Sequence, residues 1–376
     1  MSLTESGRLA QAVFDLPESV LAAAVRAACP DPVEGYRVST VPRSGTEGIC
    51  GEYLRATFTV TTERGATIDV PMFVRRQLHA AERKRQAHHY DHLSAQGVPL
   101  PRMYGSHVDD AGREILLLEL LEDPGGSDAA LLAQEEYLIE FLELAAALAA
   151  VPLDVEYVGR LGYDVAGRDF VLNWADWLPW SVHILGRIET KVESGTLGDG
   201  LRAYCLRHPQ AVVCLKRACL PLMRAVRTLP LGLVHGDFRP GNTGRSRGDA
   251  RLILYDLEDL YIDARFFDVG QIIGAPKCPL PGKGSSEDLA QVFLQAYEAR
   301  TGRNVDLHAF MNEARLTWAA RKMNLWELLP PSAGGPSYDH RAFIADEGER
   351  AESLLERFTQ LFESLQMLEL STSGAA

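Results

Sequence analysis

The sequence predicts an α+β chain in two parts: a small, mostly antiparallel sheet with one helix in residues 1–122, and a larger, mainly helical part in 123–376. Three observations carry this. Between 36 and 76 the runs YRVST, YLRATFTVTT and ATIDVPMFVRR are β-branched, aromatic and alternating, which suits strands. EDPGGSD, from Glu122 to Asp128, is the most turn-rich break in the chain. Beyond it EEYLIEFLELAAALAAV (135–151) has apolar residues at helical spacing and is rich in Ala, the best helix former.

Taken in order, residues 4–29 read as two short helices, with Pro17 and Glu18 starting the second and Pro30 ending it. ERGA (63–66) reads as a hairpin turn. The Gly-rich stretch SGTEGICG, with Ser44, Gly45 and Gly48, sits between two strands. Such a turn either brings backbone N–H groups close to a phosphate or simply turns the chain. HAAERKRQAHHYDHLSAQG (79–97) reads as one helix stopped by Gly97, with Pro99 and Pro101 after it. PRMYGSHVD is a short strand, and REILLLELL, nearly all apolar, is a central one. LNWADWLPWSVHILGRIETKV (172–192) carries Trp174, Trp177 and Trp180 at steps of three, for packing or for stacking on a substrate. Further helices follow at LRAYCLRH and AVVCLKRACLPLMRAVRTL, and a helical tail runs from about 286 to 368. GAPKCPLPGKGSS reads as a surface loop and lacks P-loop spacing.

Composition limits the function. The chain has 376 residues, 46% hydrophobic and 24% charged, which suits a large buried core. A formal net charge of −13 repels a phosphate backbone or an anionic membrane, and favours neutral or cationic partners. No run approaches a membrane span, and the N-terminus lacks the apolar stretch of a secretory signal. The six cysteines form no C-x-x-C pair, and reduced thiols in a cytoplasmic protein are expected. His88 and His92 have zinc-compatible spacing, but no third ligand is apparent and a solvated helix face is expected. The acidic stretch AFIADEGERAESLLERF is either a solvated helix face or a carboxylate lining for an amine-bearing substrate.

The chemistry concentrates in 233–268. LVHGDFRPGN places Asp237 and Asn242 five apart on a segment too rich in Gly and Pro for a helix. Asp256 follows the apolar run LILY, so it is expected at the end of a buried strand, with Glu258 on the same side if that strand continues. Mg²⁺ takes oxygen ligands and commonly sits between carboxylates and substrate phosphates. A strand-end carboxylate and a loop amide meet that need. A second carboxylate, outside the metal shell, can orient a hydroxyl and accept its proton. Phosphoryl transfer asks for little beyond positioning, charge neutralisation and such a base.

HGDFRPGN resembles the H-G-D-x-x-x-x-N loop of the aminoglycoside phosphotransferase and choline kinase-like family, and YDLEDLYIDARFFDVG resembles that family's metal segment. The resemblance is patchy over about residues 36–330 and specific only in 233–268. It implies a bilobed, protein-kinase-like fold and a Mg²⁺-dependent transfer of the γ-phosphate of ATP or GTP to a hydroxyl of a small molecule such as an antibiotic or metabolite; the acidic balance favours a cationic substrate and the Trp-rich helix an aromatic or bulky one. It implies that Asp237 engages the substrate hydroxyl, that Asn242 and Asp256 hold Mg²⁺, and that His235 and Asp268 support the loop. Glu258 either helps with metal or water or faces solvent. The family's strand lysine falls at Arg75 and its helix glutamate at Gln86, so the usual ion pair is missing and Glu82, one turn earlier, is a candidate substitute. Arg75 either binds the α- and β-phosphates or is an ordinary strand residue with its head in solvent. Glu119 to Leu121 match the hinge that offers backbone groups to a purine. A nucleotide-binding protein without catalysis, acting through an interaction surface, is the alternative that Arg75 and Gln86 leave open.

Overall fold

The computed structural model describes residues 13–42, 51–77, 86–160, 178–196, 199–257, 260–276, 284–323, 359–361 and 363–364. The expectations at Ser44, Gly45, Gly48, Glu82, Glu258, Trp174 and Trp177 lie outside the described residues, as does the acidic stretch before 359. The elements that matter run in the order α1 (Glu18–Ala28), β1 (Val33–Pro42), β2 (Gly51–Thr62), β3 (Thr67–Gln77), α2 (Gln86–Ala95), β4 (Met103–Val108), β5 (Glu114–Glu119) and α3 (Glu135–Ala149). They continue with α4 (Leu178–Ser194), α5 (Pro209–Arg227), β6 (Leu231–Val234), β7 (Thr243–Arg245), β8 (Leu252–Leu254), β9 (Tyr261–Ala264), α6 (Phe267–Ile273), α7 (Ser286–Thr301) and α8 (Leu307–Lys322). The α+β class read from the sequence is therefore observed: an antiparallel sheet first and a helix-rich remainder.

Two compact units result, Met1–Tyr163 with Arg239–Asp259, and Asp164–Phe238 with Leu260–Ala376. The first holds a five-stranded sheet in the order β1-β2-β3-β5-β4, antiparallel throughout. The β2–β3 hairpin turns at the ERGA segment, where Gly65 takes φ 76 and Thr62 N–H donates to the Ala66 carbonyl at 2.9 Å. Alternation along β3 sends Val70, Met72 and Val74 to one face, where Leu21, Ala24 and Val25 of α1 join them. Burying each such side chain contributes about 1.5–3 kcal/mol. The opposite face of β3 carries Arg75, paired in register with Tyr53 and Leu116.

In the same unit, Ala-rich α3 holds the short β7–β8 hairpin. Glu140 of α3 accepts from Arg245 Nη1 at 2.8 Å and Nη2 at 3.0 Å, and from the Leu252 N–H at 3.3 Å. Tyr137 and Thr243 share a hydroxyl hydrogen bond of 2.6 Å.

The second unit pairs β6 with β9, from Leu231↔Ala264 to Val234↔Tyr261. Its core gathers Leu185, Ile188, Leu215, Leu222 and Trp318 from α4, α5 and α8. The helix α6 packs so closely on α8 that a Cβ at Gly274 would meet the Ala314 carbonyl and one at Gly270 the Thr317 hydroxyl. A Ser285–Asp288 capping box starts α7, and Gly302 in the left-handed region ends it. Cys29, Cys205, Cys214 and Cys219 are free thiols, and no described helix is long and apolar enough to cross a membrane.

Candidate functional site

In the second unit, β6 delivers the segment His235-Gly236-Asp237. Gly236 takes φ 86, a left-handed conformation that a side chain disfavours. Asp268, in the first turn of α6, accepts from the His235 N–H at 2.7 Å and from the Gly236 N–H at 3.2 Å. Arg321 of α8 donates from Nη1 to the Gly236 carbonyl at 2.6 Å. Both polar sides of Gly236 are thereby fixed, and Asp237 follows it directly. His235 is fully buried, and its ring meets Phe238 edge-on. The resemblance implied that His235 supports the loop; the hold just described runs through its main-chain N–H.

Burial is the largest influence on Asp268 and pushes its carboxyl above the ordinary carboxylate value. His235, the two main-chain donors and Arg321 pull in the other direction.

In the first unit, Asn242 closes a short 3₁₀ turn from Pro240 and leads straight into β7. Thr243 pairs with Leu254, and the Tyr255 N–H donates to the Asn242 carbonyl at 3.0 Å, so Asn242 and Asp256 leave the same end of the hairpin. The Tyr255 hydroxyl adds a 2.7 Å bond to the Gly241 carbonyl. Strand β8 stops at Leu254 and does not continue to Glu258. Asp256 itself takes φ 65, a left-handed conformation that short polar residues tolerate best and that clusters at functional sites.

Arg75 is not a strand residue with its head in solvent: its side chain is only 4% exposed, and Nη1 lies 2.8 Å from Asp256 Oδ1. The same nitrogen donates to Gln86 Oε1 at 3.2 Å, and the guanidinium lies 5.5 Å from the Tyr53 ring centre. Gln86 thus reaches Arg75 through an amide oxygen where a carboxylate would form an ion pair. Glu114, which sequence reading passed over, accepts from the Gln86 N–H at 2.7 Å and the Ala87 N–H at 3.3 Å.

At the end of β5, Glu119 donates its N–H to the Arg102 carbonyl at 2.8 Å and accepts from the Ser246 hydroxyl at 2.8 Å. Leu121 follows and packs against Gly244, where an added Cβ would come within 2.8 Å of it. His88 is exposed, His92 stacks on Tyr157 at 3.7 Å, and no group of three His, Cys, Asp or Glu residues suited to a metal occurs among the described residues.

Arg75, Gln86 and Asp256 are therefore brought together in one unit, with Asn242 beside them on the hairpin. His235, Asp237 and Asp268 are brought together in the other.

Several solved structures resemble the chain. An ethanolamine kinase from Plasmodium vivax is 13% identical over 86% of this chain and 82% of its own, with a TM-score of 0.49. A spectinomycin phosphotransferase, solved with ADP and spectinomycin, is 10% identical over 88% of this chain and 93% of its own, with a TM-score of 0.49. An amicoumacin kinase, solved with AMP-PNP and Ca²⁺, is 15% identical over 93% of each chain, with a TM-score of 0.46. At these identities and scores the likeness stops at resemblance, and the ligands belong to those proteins. No curated protein sequence matches the chain. The pattern of the phosphotransferase enzyme family (APH) matches residues 46–309, well over half of the chain and all of the HGDFRPGN and YDLEDLYIDARFFD segments. The chain belongs to the phosphotransferase enzyme family.

Proposed function

We propose that this phosphotransferase moves the γ-phosphate of ATP, or GTP, to a hydroxyl of a small molecule, an antibiotic or metabolite, with Mg²⁺ and with Asp237 as the base. The observation that carries this is the pair Asn242 and Asp256, which leave one end of one hairpin beside a buried arginine. An amide oxygen and a carboxylate are hard donors of the kind Mg²⁺ takes, so the residues present fit that ion. When bound, Mg²⁺ supplies charge neutralisation at the phosphate oxygens. Arg75 offers a planar, always-charged donor for the α- and β-phosphates. Asp237, on its doubly held loop, aligns the hydroxyl and takes its proton.

The division into a nucleotide-binding lobe, 1–122, and a helical, substrate-binding lobe, 123–376, is part of the proposal. So is the contribution of backbone groups at Ser44, Gly45, Gly48, Glu119 and Leu121 to nucleotide binding. The net charge of −13 supports a neutral or cationic substrate and a partner set without nucleic acid or membrane. Free thiols support a reducing, cytoplasmic setting.

The test is nucleotide consumption with Mg²⁺ across a panel of hydroxyl compounds, amines and polyols included. Turnover should fall by about two to four powers of ten in Asp237→Ala. Nucleotide binding without transfer across the whole panel would favour the non-catalytic alternative.

A further inference from the structure

The Arg75 guanidinium is buried, and a buried charge keeps one position only if its surroundings hold it there. Among the described residues, Asp256 at 2.8 Å and Gln86 at 3.2 Å hydrogen-bond to it. Asp256 is the residue proposed to hold a cation, so it cannot be devoted to Arg75 when one is bound. Gln86 stays in contact with the guanidinium through its amide, and an amide fixes a neighbour only as well as its own backbone is fixed. That backbone is gripped by Glu114. Its carboxylate takes the N–H groups of Gln86 and Ala87, at 2.7 and 3.3 Å, where α2 begins among the described residues. Carboxylate-to-N–H bonds of this kind are the stronger, charge-assisted sort. Glu114 is itself 2% exposed. It comes from β5, where Leu116 lies opposite Arg75, so two residues before Leu116 the Glu114 side chain shares the Arg75 face of the sheet.

We propose that Glu114 is the positioning residue of the phosphate anchor: through the main chain of Gln86 it holds the amide that aims Arg75 at the nucleotide phosphates. The inference rests on the nucleotide reading above, and the two fail differently.

The experiment measures binding of ADP with Mg²⁺ and of adenosine, by calorimetry, with the full chain. Glu114→Gln should weaken ADP by about tenfold, the worth of one hydrogen bond to a charged group, and leave adenosine unchanged. Glu114→Asp, which keeps the charge but shortens the reach, should give the same phosphate-selective loss in smaller measure and covers the case in which Glu114→Gln does not fold. Equal losses for ADP and adenosine, or a lower Tm with both affinities unchanged, would overturn the positioning role and leave a helix cap. A wild-type chain that binds neither ligand would overturn the nucleotide reading and this inference with it.

Discussion

Arg321 donates to the carbonyl of Gly236 at 2.6 Å, from a helix 85 residues further along the chain. The N–H of the same glycine is held by Asp268, so the residue before Asp237 is anchored from two helices at once. A base works only if its carboxylate stays in place, and misplacement by an ångström costs rate steeply. Arg321→Met should therefore lower kcat by about ten- to a hundredfold while leaving the KM for nucleotide unchanged. Arg321→Lys, which keeps a donor, should recover part of the loss. Steady-state kinetics checks this; an unchanged kcat in Arg321→Met would remove the anchor from the account.

Asp268 makes a prediction about pH. Its folded value is raised, chiefly by burial. A raised carboxyl contributes stability that is present below its unfolded value, about 4, and is lost as pH rises through the folded value. Asp268→Asn does not titrate. The stability advantage of the wild type over Asp268→Asn should therefore shrink as pH rises from about 4. Urea unfolding of both proteins at stepped pH checks the sign; an advantage that grows over that interval would contradict it.

The hold of α3 on the β7–β8 hairpin predicts a coupled loss. Glu140→Gln breaks a bidentate pair with Arg245 that is about one-third exposed, so screening limits its worth to about 1 kcal/mol of stability. Because the hairpin carries Asn242 and Asp256 at its open end, the same change should weaken Mg²⁺-dependent nucleotide binding. Thermal unfolding and calorimetry on one preparation check both. A stability loss with nucleotide binding unaltered would mean that the hairpin end is fixed without α3.

How much of this was legible in the sequence differs between residues. Asp237, Asn242, Asp256 and Asp268 stand in two short local segments whose resemblance to a family's motifs singles them out without knowledge of the fold. The strands β2 and β3 were legible for the same reason, since alternation is a local pattern. Arg321 was not, because its role depends on which helix faces β6, and an arginine in the last turn of any helix looks alike. Glu114 had a signal that went unread: a carboxylate inside the nearly all-apolar run REILLLELL must find donors if the strand is buried. Arg75 was singled out, but its burial and its contact with Asp256, 181 residues away, are tertiary facts. Strand β8 ended before the alternation carried to Glu258, because Asp256 turns the chain with a positive φ.

The claim on which the account turns is that Asn242 and Asp256 together hold the cation that carries the nucleotide. The most direct measurement is the affinity for ADP with and without Mg²⁺, in the wild type, Asn242→Ala and Asp256→Ala. The account predicts that Mg²⁺ tightens ADP binding in the wild type and that each substitution reduces this gain by about tenfold or more. A gain from Mg²⁺ that survives intact in both variants would contradict it.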